Sequence, residues 1–254
     1  MRKASQIIAY TLLLVGISSL LFSVLYEHSV LAFIGLGLTF WGALLLYIRP
    51  VRYVKATLLN STTISTLTTL DQIIKEYNPK GKPIYLPPAS PEEIKTGKTF
   101  IPFEERTMIP SSEETRTEKI LLTNPKGLLL TPPGTALTNL YEDTLGTSFT
   151  KLDLTDLQTK LPKLFIEDLE IAENLEIHQK NNRIHIKITR SVYQDFCEKA
   201  QSLDYICNSL GDPLCSSLAI ALTRTIGKPI TIEKTLPGSD GKHTIEVYYR
   251  ILEE

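Results

Sequence analysis

The chain has 254 residues, 43% of them hydrophobic and 22% charged, with a net charge of −1 at pH 7. Residues 1–55 hold five Lys/Arg and one acidic residue, a balance of +4, which leaves −5 on residues 56–254. An acidic soluble part does not suggest a nucleic-acid platform, and three cysteines without paired spacing do not suggest a disulfide framework.

Two uncharged apolar runs, Ile7 to Tyr26 and Ser29 to Ile48, are joined by Glu27 and His28. Each matches the roughly 20 residues needed to cross a bilayer core, so the sequence predicts a transmembrane hairpin over residues 1–55. A secretory signal has a shorter apolar stretch and a small-residue cleavage site, whereas this first run is a full span followed at once by another. Helices of a soluble core are shorter and usually carry a polar stripe. Arg2 and Lys3 precede the first span, and Arg49, Arg52 and Lys55 follow the second. Both chain ends are therefore expected on the cytoplasmic side of the cell membrane, with the basic collar against anionic headgroups of the lipid bilayer.

Tyr10, Tyr26, Tyr47 and Tyr53 fall near the expected interfaces. The tight turn requires antiparallel packing. Ala9, Gly16, Ser19 and Ser23 on the first helix, and Gly35, Thr39 and Gly42 on the second, form small-residue faces that either seal the hairpin or recruit another membrane subunit. Neither span contains an ionisable side chain, the usual mark of an ion or substrate path. Asn60-Ser61-Thr62 is a glycosylation acceptor by pattern, expected to stay unmodified on the cytosolic side. Cys197, Cys207 and Cys215 are expected as thiols in a reducing compartment.

Ten of the fifteen prolines lie between Pro79 and Pro133, which marks residues 56–150 as a first soluble region of short strands and turns. A helix is predicted over about Ser65 to Tyr77, then a strand at Pro83 to Leu86 stopped by Pro87-Pro88. Ser90, Pro91 and Glu93 read as a capping box for a short helix ended by Gly97. Glu104 to Lys119 reads as an exposed polar loop. Lys119 to Thr123 and Leu128 to Thr131 read as a hairpin about Asn124-Pro125-Lys126-Gly127, with Pro132-Pro133-Gly134 and a helix over Ala136 to Leu145 after it. The order strand, double proline, helix occurs twice. The proline corners are either strand terminators or the rim of a peptide- or ligand-binding site.

Residues 151–254 are predicted as a C-terminal α+β domain. A helical pattern from Leu154 to Leu175 is interrupted at Leu161-Pro162. Leu175 to Gln179 and Ile184 to Ile188 alternate about Asn181-Asn182, a two-residue hairpin turn. That pairing sets Glu176 opposite Lys187 and His178 opposite His185, with Ile177 and Ile186 on the other face. Ser191 and Gln194 fit a capping box for a helix to about Asn208. Asp212 caps a second, largely apolar helix with Pro213 at its first position and Gly227 past its end. Strands Ile230 to Leu236 and Thr244 to Ile251, joined by the Gly238 to Lys242 turn, close the chain.

Three residues carry candidate chemistry. His178 and His185 could share an ion across the sheet, but no third ligand is fixed by local spacing and Lys180, Arg183 and Lys187 oppose a cation. A solvated face without metal is expected. Cys215 lies in the first turn of a helix, where the macrodipole favours a thiolate, yet its neighbours are apolar and no base is fixed nearby. Ser216 and Ser217 lack a nucleophile elbow, and Gly238-Ser239-Asp240-Gly241-Lys242 has the wrong spacing for a phosphate loop. No catalytic residue and no cofactor are assigned.

Phe40-Trp41-Gly42-Ala43-Leu44-Leu45 before Arg49-Pro50, Leu130-Thr131-Pro132-Pro133-Gly134, and Gly211-Asp212-Pro213-Leu214-Cys215-Ser216 resemble segments of uncharacterised archaeal membrane proteins with a two-span N-terminus. That resemblance implies no activity. The final helix and hairpin are also similar in order to the end of 4-vinyl-reductase-like domains, whose cysteine-rich ending this chain lacks, so no ligand or metal site carries over.

The expected architecture is a two-helix transmembrane hairpin followed by a cytosolic α+β part, an antiparallel sheet with helices on one face, in two subdomains meeting near residue 150. The expected function is a membrane-tethered binding or scaffold module without catalytic activity, engaging a protein partner or a second copy. The alternatives are a membrane-bound enzyme or small-ligand sensor with a pocket near Cys215, and an accessory subunit of a larger membrane complex.

Overall fold

A computed structural model describes residues 2–47, 56–105, 108–116, 119–193, 203, 205–237 and 244–253. The chain divides into two compact units, Met1–Ala56 and Thr57–Glu254.

In the first unit, α1 (Arg2–Tyr26) and α2 (Ser29–Tyr47) form an antiparallel pair, turned at Glu27 in the left-handed region (φ 52°). Both contain an apolar stretch of 19 residues, long enough to cross a bilayer. The small residues lie between the two helices. A Cβ on Gly16 would stand 2.6 Å from Thr39 N, one on Gly35 2.8 Å from Leu20 N, and one on Gly42 2.9 Å from Leu13 N. Ser19 Oγ donates to Leu31 O (3.0 Å), tying α1 to α2, and Ser23 Oγ donates to His28 O (2.8 Å) in the turn. These faces seal the hairpin, which is one of the two roles open to them on sequence. Arg49, Arg52, Lys55 and Tyr53 lie outside the described residues.

The second unit opens with α3 (Ala56–Tyr77), which begins well before the expected Ser65. Its Leu67 and Ile74 pack with Ile101, Leu128 and Leu130 of the sheet. Asp71, only 3% exposed, accepts from Tyr205 N (2.9 Å) and Ile206 N (3.2 Å) and pairs with Lys75 (3.1 Å). This polar tie fixes α3 into the domain.

Eight strands follow: β1 (Ile84–Leu86), β2 (Lys98–Pro102), β3 (Leu121–Thr123), β4 (Lys126–Leu130), β5 (Asn174–Lys180), β6 (Arg183–Thr189), β7 (Ile230–Pro237) and β8 (Thr244–Ile251). They form one sheet in the order β3-β4-β2-β1-β7-β8-β6-β5, antiparallel at every pairing. The halves before and after residue 150 contribute four neighbouring strands each, and they meet where Tyr85 pairs with Ile230. Thr231 Oγ1 donating to Pro83 O (2.8 Å) and Lys82 Nζ to Glu233 O (3.0 Å) reinforce that seam.

Alternation puts Tyr85, Ile230, Tyr249, Ile186 and Ile177 on one face, under α5 (Thr135–Leu145), α6 (Leu154–Lys163) and α7 (Pro213–Ile226). Every residue of α7 from Leu214 to Arg224 is buried, which is why its sequence is small or apolar all round apart from Arg224. On the opposite face Ile84, Leu86, Phe100, Leu122 and Leu129 are covered by the segment containing Ile109, with α4 (Ser112–Thr115) beside it. Over β5 to β8 that face is polar.

Several expectations change. β2 has no counterpart in the sequence reading. The Glu104 to Lys119 stretch contains α4, capped reciprocally by Ser111 and Glu114 and holding the buried Thr115. Pro91–Lys95 forms a 3-10 turn in which Ser90 makes no side-chain cap; Glu93 reaches back to Ala89 N (3.1 Å) instead. Thr123 pairs with Lys126, so the first hairpin turns on Asn124-Pro125 alone. Pro162 lies inside α6, which widens into a π-type turn over Leu164–Asp168 and ends there rather than at Leu175, because β5 begins at Asn174. Gln194 of the expected Ser191–Gln194 cap and the Gly238 to Lys242 turn lie outside the described residues; Ser191 Oγ accepts from Tyr193 N (3.1 Å), and a wide π-type turn occupies Ile206–Leu210.

Candidate functional site

The start of α7 is a buried polar node. Asp212 Oδ1 accepts from Leu214 N (2.7 Å) and Cys215 N (3.0 Å), the N-cap the sequence predicts. Cys215 is wholly buried, and Tyr249 OH donates to its carbonyl (2.8 Å). Ser216 Oγ accepts from Gly134 N (3.1 Å), and Ser217 Oγ lies 3.1 Å from Tyr141 OH while donating to Leu214 O (2.7 Å). Thr138 Oγ1 donates to Gly134 O and Ser217 O, each at 3.0 Å. Tyr85 OH donates to Leu210 O. Burial pushes the phenols of Tyr85, Tyr141 and Tyr249 well above their ordinary value, so they remain protonated donors. Gly134 is required here by close approach, since a Cβ would stand 2.1 Å from Ser217 N. The hydroxyls around Cys215 are engaged in clamping α5 and β8 to α7 and β1 to the turn before it.

Arg224, in the last turn of α7, makes a second node. Its side chain is 2% exposed and pairs with Glu142 (2.9 Å), Asn139 Oδ1 (3.1 and 3.2 Å) and Ile94 O. Glu142 in turn accepts from Phe149 N (2.7 Å) and Ser148 Oγ (2.8 Å), and Asn139 Nδ2 donates to Lys95 O (2.8 Å). Burial pulls the guanidinium below its ordinary value, opposed by the Glu142 charge. The first proline corner and the helix that follows the second thus both close on Arg224. The hollow left beside Pro87, Pro88 and Arg224 is about 10 Å³, room for a water at most. Larger depressions are open to solvent, including one of about 760 Å³ along Ile84, Leu86, Pro87, Met108, Ile109 and Leu252.

The polar face of β5 to β8 is built differently. Register places His178, His185, Tyr248 and Lys234 side by side across four strands. The His178 and His185 rings stack at 6.2 Å, His185 and Tyr248 at 4.4 Å, and Lys234 Nζ sits 4.4 Å over the Tyr248 ring. Glu246 Oε2 meets both His185 Nε2 and Tyr248 OH at 3.1 Å, while His178 Nε2 faces Glu176 at 3.5 Å. Each imidazole therefore has its own carboxylate, and among the described residues no group of three His, Cys, Asp or Glu is placed to hold a metal. Beside the row, Glu233 is gripped by Arg183 (2.9 Å) and Arg250.

The structure brings His178 and His185 together as the register predicts, while Cys215 lies on the other, helix-covered side of the sheet. Arg224, Glu142, Tyr248 and Lys234 were not singled out by sequence. Arg224 left a signal all the same, a lone cation in an apolar helix.

An N-terminal pair of apolar helices and an α+β domain on an eight-stranded antiparallel sheet define the class of protein. The chain belongs to the family described as Domain of unknown function (DUF7982), whose profile matches residues 1–250. No curated protein and no solved structure matches it significantly.

Proposed function

We propose that this protein is a membrane-tethered binding module, held by the α1–α2 hairpin with both ends on the cytoplasmic side, and that it binds through the uncovered face of β5 to β8. The observation that carries this reading is the cross-strand row His178, His185, Tyr248 and Lys234. Stacked planar side chains ringed by Glu176, Glu233, Glu246, Arg183 and Arg250 offer the aromatic centre and polar rim of a recognition surface. The buried, hydrogen-bonded surroundings of Cys215 favour this over the thiol-enzyme alternative.

The test is crosslinking mass spectrometry of the full chain extracted in mild detergent, with a Tyr248→Ala variant as comparison. Crosslinks on Lys187 and Lys234 that disappear in a variant of unchanged circular dichroism support the proposal. Crosslinks confined to other surfaces, or unchanged by the substitution, overturn it.

A further inference from the structure

We propose that two copies of this chain pair through the free edge of β5, continuing the sheet across a two-fold axis at His178. The partner is thus a second copy, beside the binding face proposed above and extending that reading. Among the described residues the sheet has two edges, β3 with three residues and β5 with seven. A three-residue edge is protected by its shortness; β5 pairs residue for residue with β6 and contains no proline or bulge, so its outer side is a straight template.

The hairpin fixes which backbone groups face out. Lys180 and Arg183 close a two-residue turn, so the even-numbered residues of β5 bond to β6 and Leu175, Ile177 and Gln179 aim their N–H and C=O groups at the edge. Among the described residues Ile177 O takes only the Gln158 amide, at 3.5 Å, a contact at the limit of hydrogen-bond geometry that a backbone donor from the second copy would replace.

Charge then selects the register. Antiparallel pairing about His178 sets Glu176 against Lys180 of the second copy, and Lys180 against its Glu176, while Ile177 and Gln179 exchange the backbone bonds. Moving the axis to Gln179 sets His178 against Lys180, and moving it to Ile177 leaves Lys180 facing Asn174. Only the His178 register places both charged pairs in opposition, and it also carries the stacked row unbroken from one copy into the other.

The experiment uses the full chain in mild detergent, with mass measured by light scattering over a concentration series. A dimer is expected, weakened about tenfold or more by Lys180→Glu and restored when Glu176→Lys is added to it. Both side chains are exposed, so the fold survives either change. Because opposed residues on the axis bring their Cα atoms within disulfide range, His178→Cys is expected to crosslink on oxidation where the unsubstituted chain does not. A monomer at all concentrations, a dimer indifferent to Lys180→Glu, or a His178→Cys chain that stays uncrosslinked overturns the proposal. A monomer that still shows Tyr248-dependent crosslinks to another molecule defeats the self-pairing and leaves the binding face standing.

Discussion

Arg224 shows how much one residue can hold. Its fork reaches a carboxylate and a side-chain amide of α5 and a main-chain carbonyl at Ile94, two segments far from it in sequence, at a depth where its side chain is 2% exposed. Removing the guanidinium leaves the Glu142 carboxylate buried with the neutral donors Phe149 N and Ser148 Oγ but without its cation, a loss of about 3 kcal/mol. Arg224→Met is therefore expected to lower the unfolding free energy from urea titration by that amount, seen as a lower midpoint. Arg224→Lys should recover little, because an ammonium cannot satisfy the three acceptors with one planar group. A midpoint unchanged in Arg224→Met would show that the two proline corners are held without it.

At the scale of elements, three strands share one carboxylate. Burial alone would raise the Glu233 carboxyl, but the guanidiniums of Arg250 and Arg183 outweigh it and hold it below the usual carboxylate range. A lowered value means that the folded state prefers the ionised form, so this contribution is complete above the ordinary range and fades as pH falls through it. Both arginines are about half exposed, which limits the contribution to on the order of 1 kcal/mol. Denaturant titrations should find Glu233→Gln less stable than the parent at pH 7, with the gap closing toward pH 3. A gap that is constant or widens in acid would contradict the clamp. The neighbouring β5–β6 hairpin was legible from sequence because alternation and the Asn181-Asn182 turn fix one register, and α7 because Asp212, Pro213 and Gly227 mark both of its ends. β2 was not, since five residues closed by Pro102 carry too short a pattern. Lys234 was hidden by the irregularity between Ile232 and Lys234: simple alternation puts it beside Ile230 and Ile232 on the covered face, whereas the shift turns it over Tyr248. The Arg224 node is tertiary, and no local spacing announces partners at Ile94, Asn139 and Glu142.

For the whole molecule, the proposed tether rests on where the apolar surface lies. The hairpin hides its small residues and turns its large ones outward, with Leu14 69%, Val24 80% and Phe33 77% exposed. In the proposed reading a bilayer takes these side chains out of water, at roughly 1.5–3 kcal/mol for each large one. The proposed orientation follows the cations of the sequence at Arg2, Lys3, Arg49, Arg52 and Lys55, with the turn on the far side. A single cysteine introduced at His28 should be labelled by a membrane-impermeant maleimide in intact expressing cells. One at Met108, which is 83% exposed on the domain, should be labelled only after permeabilisation. The unsubstituted chain controls for its three native cysteines. Labelling of Met108→Cys in intact cells, with His28→Cys protected, would place the domain outside and reverse the orientation. Release of the chain by alkaline carbonate would remove the tether, and with it the expectation that two domains meet along β5 while confined to one membrane.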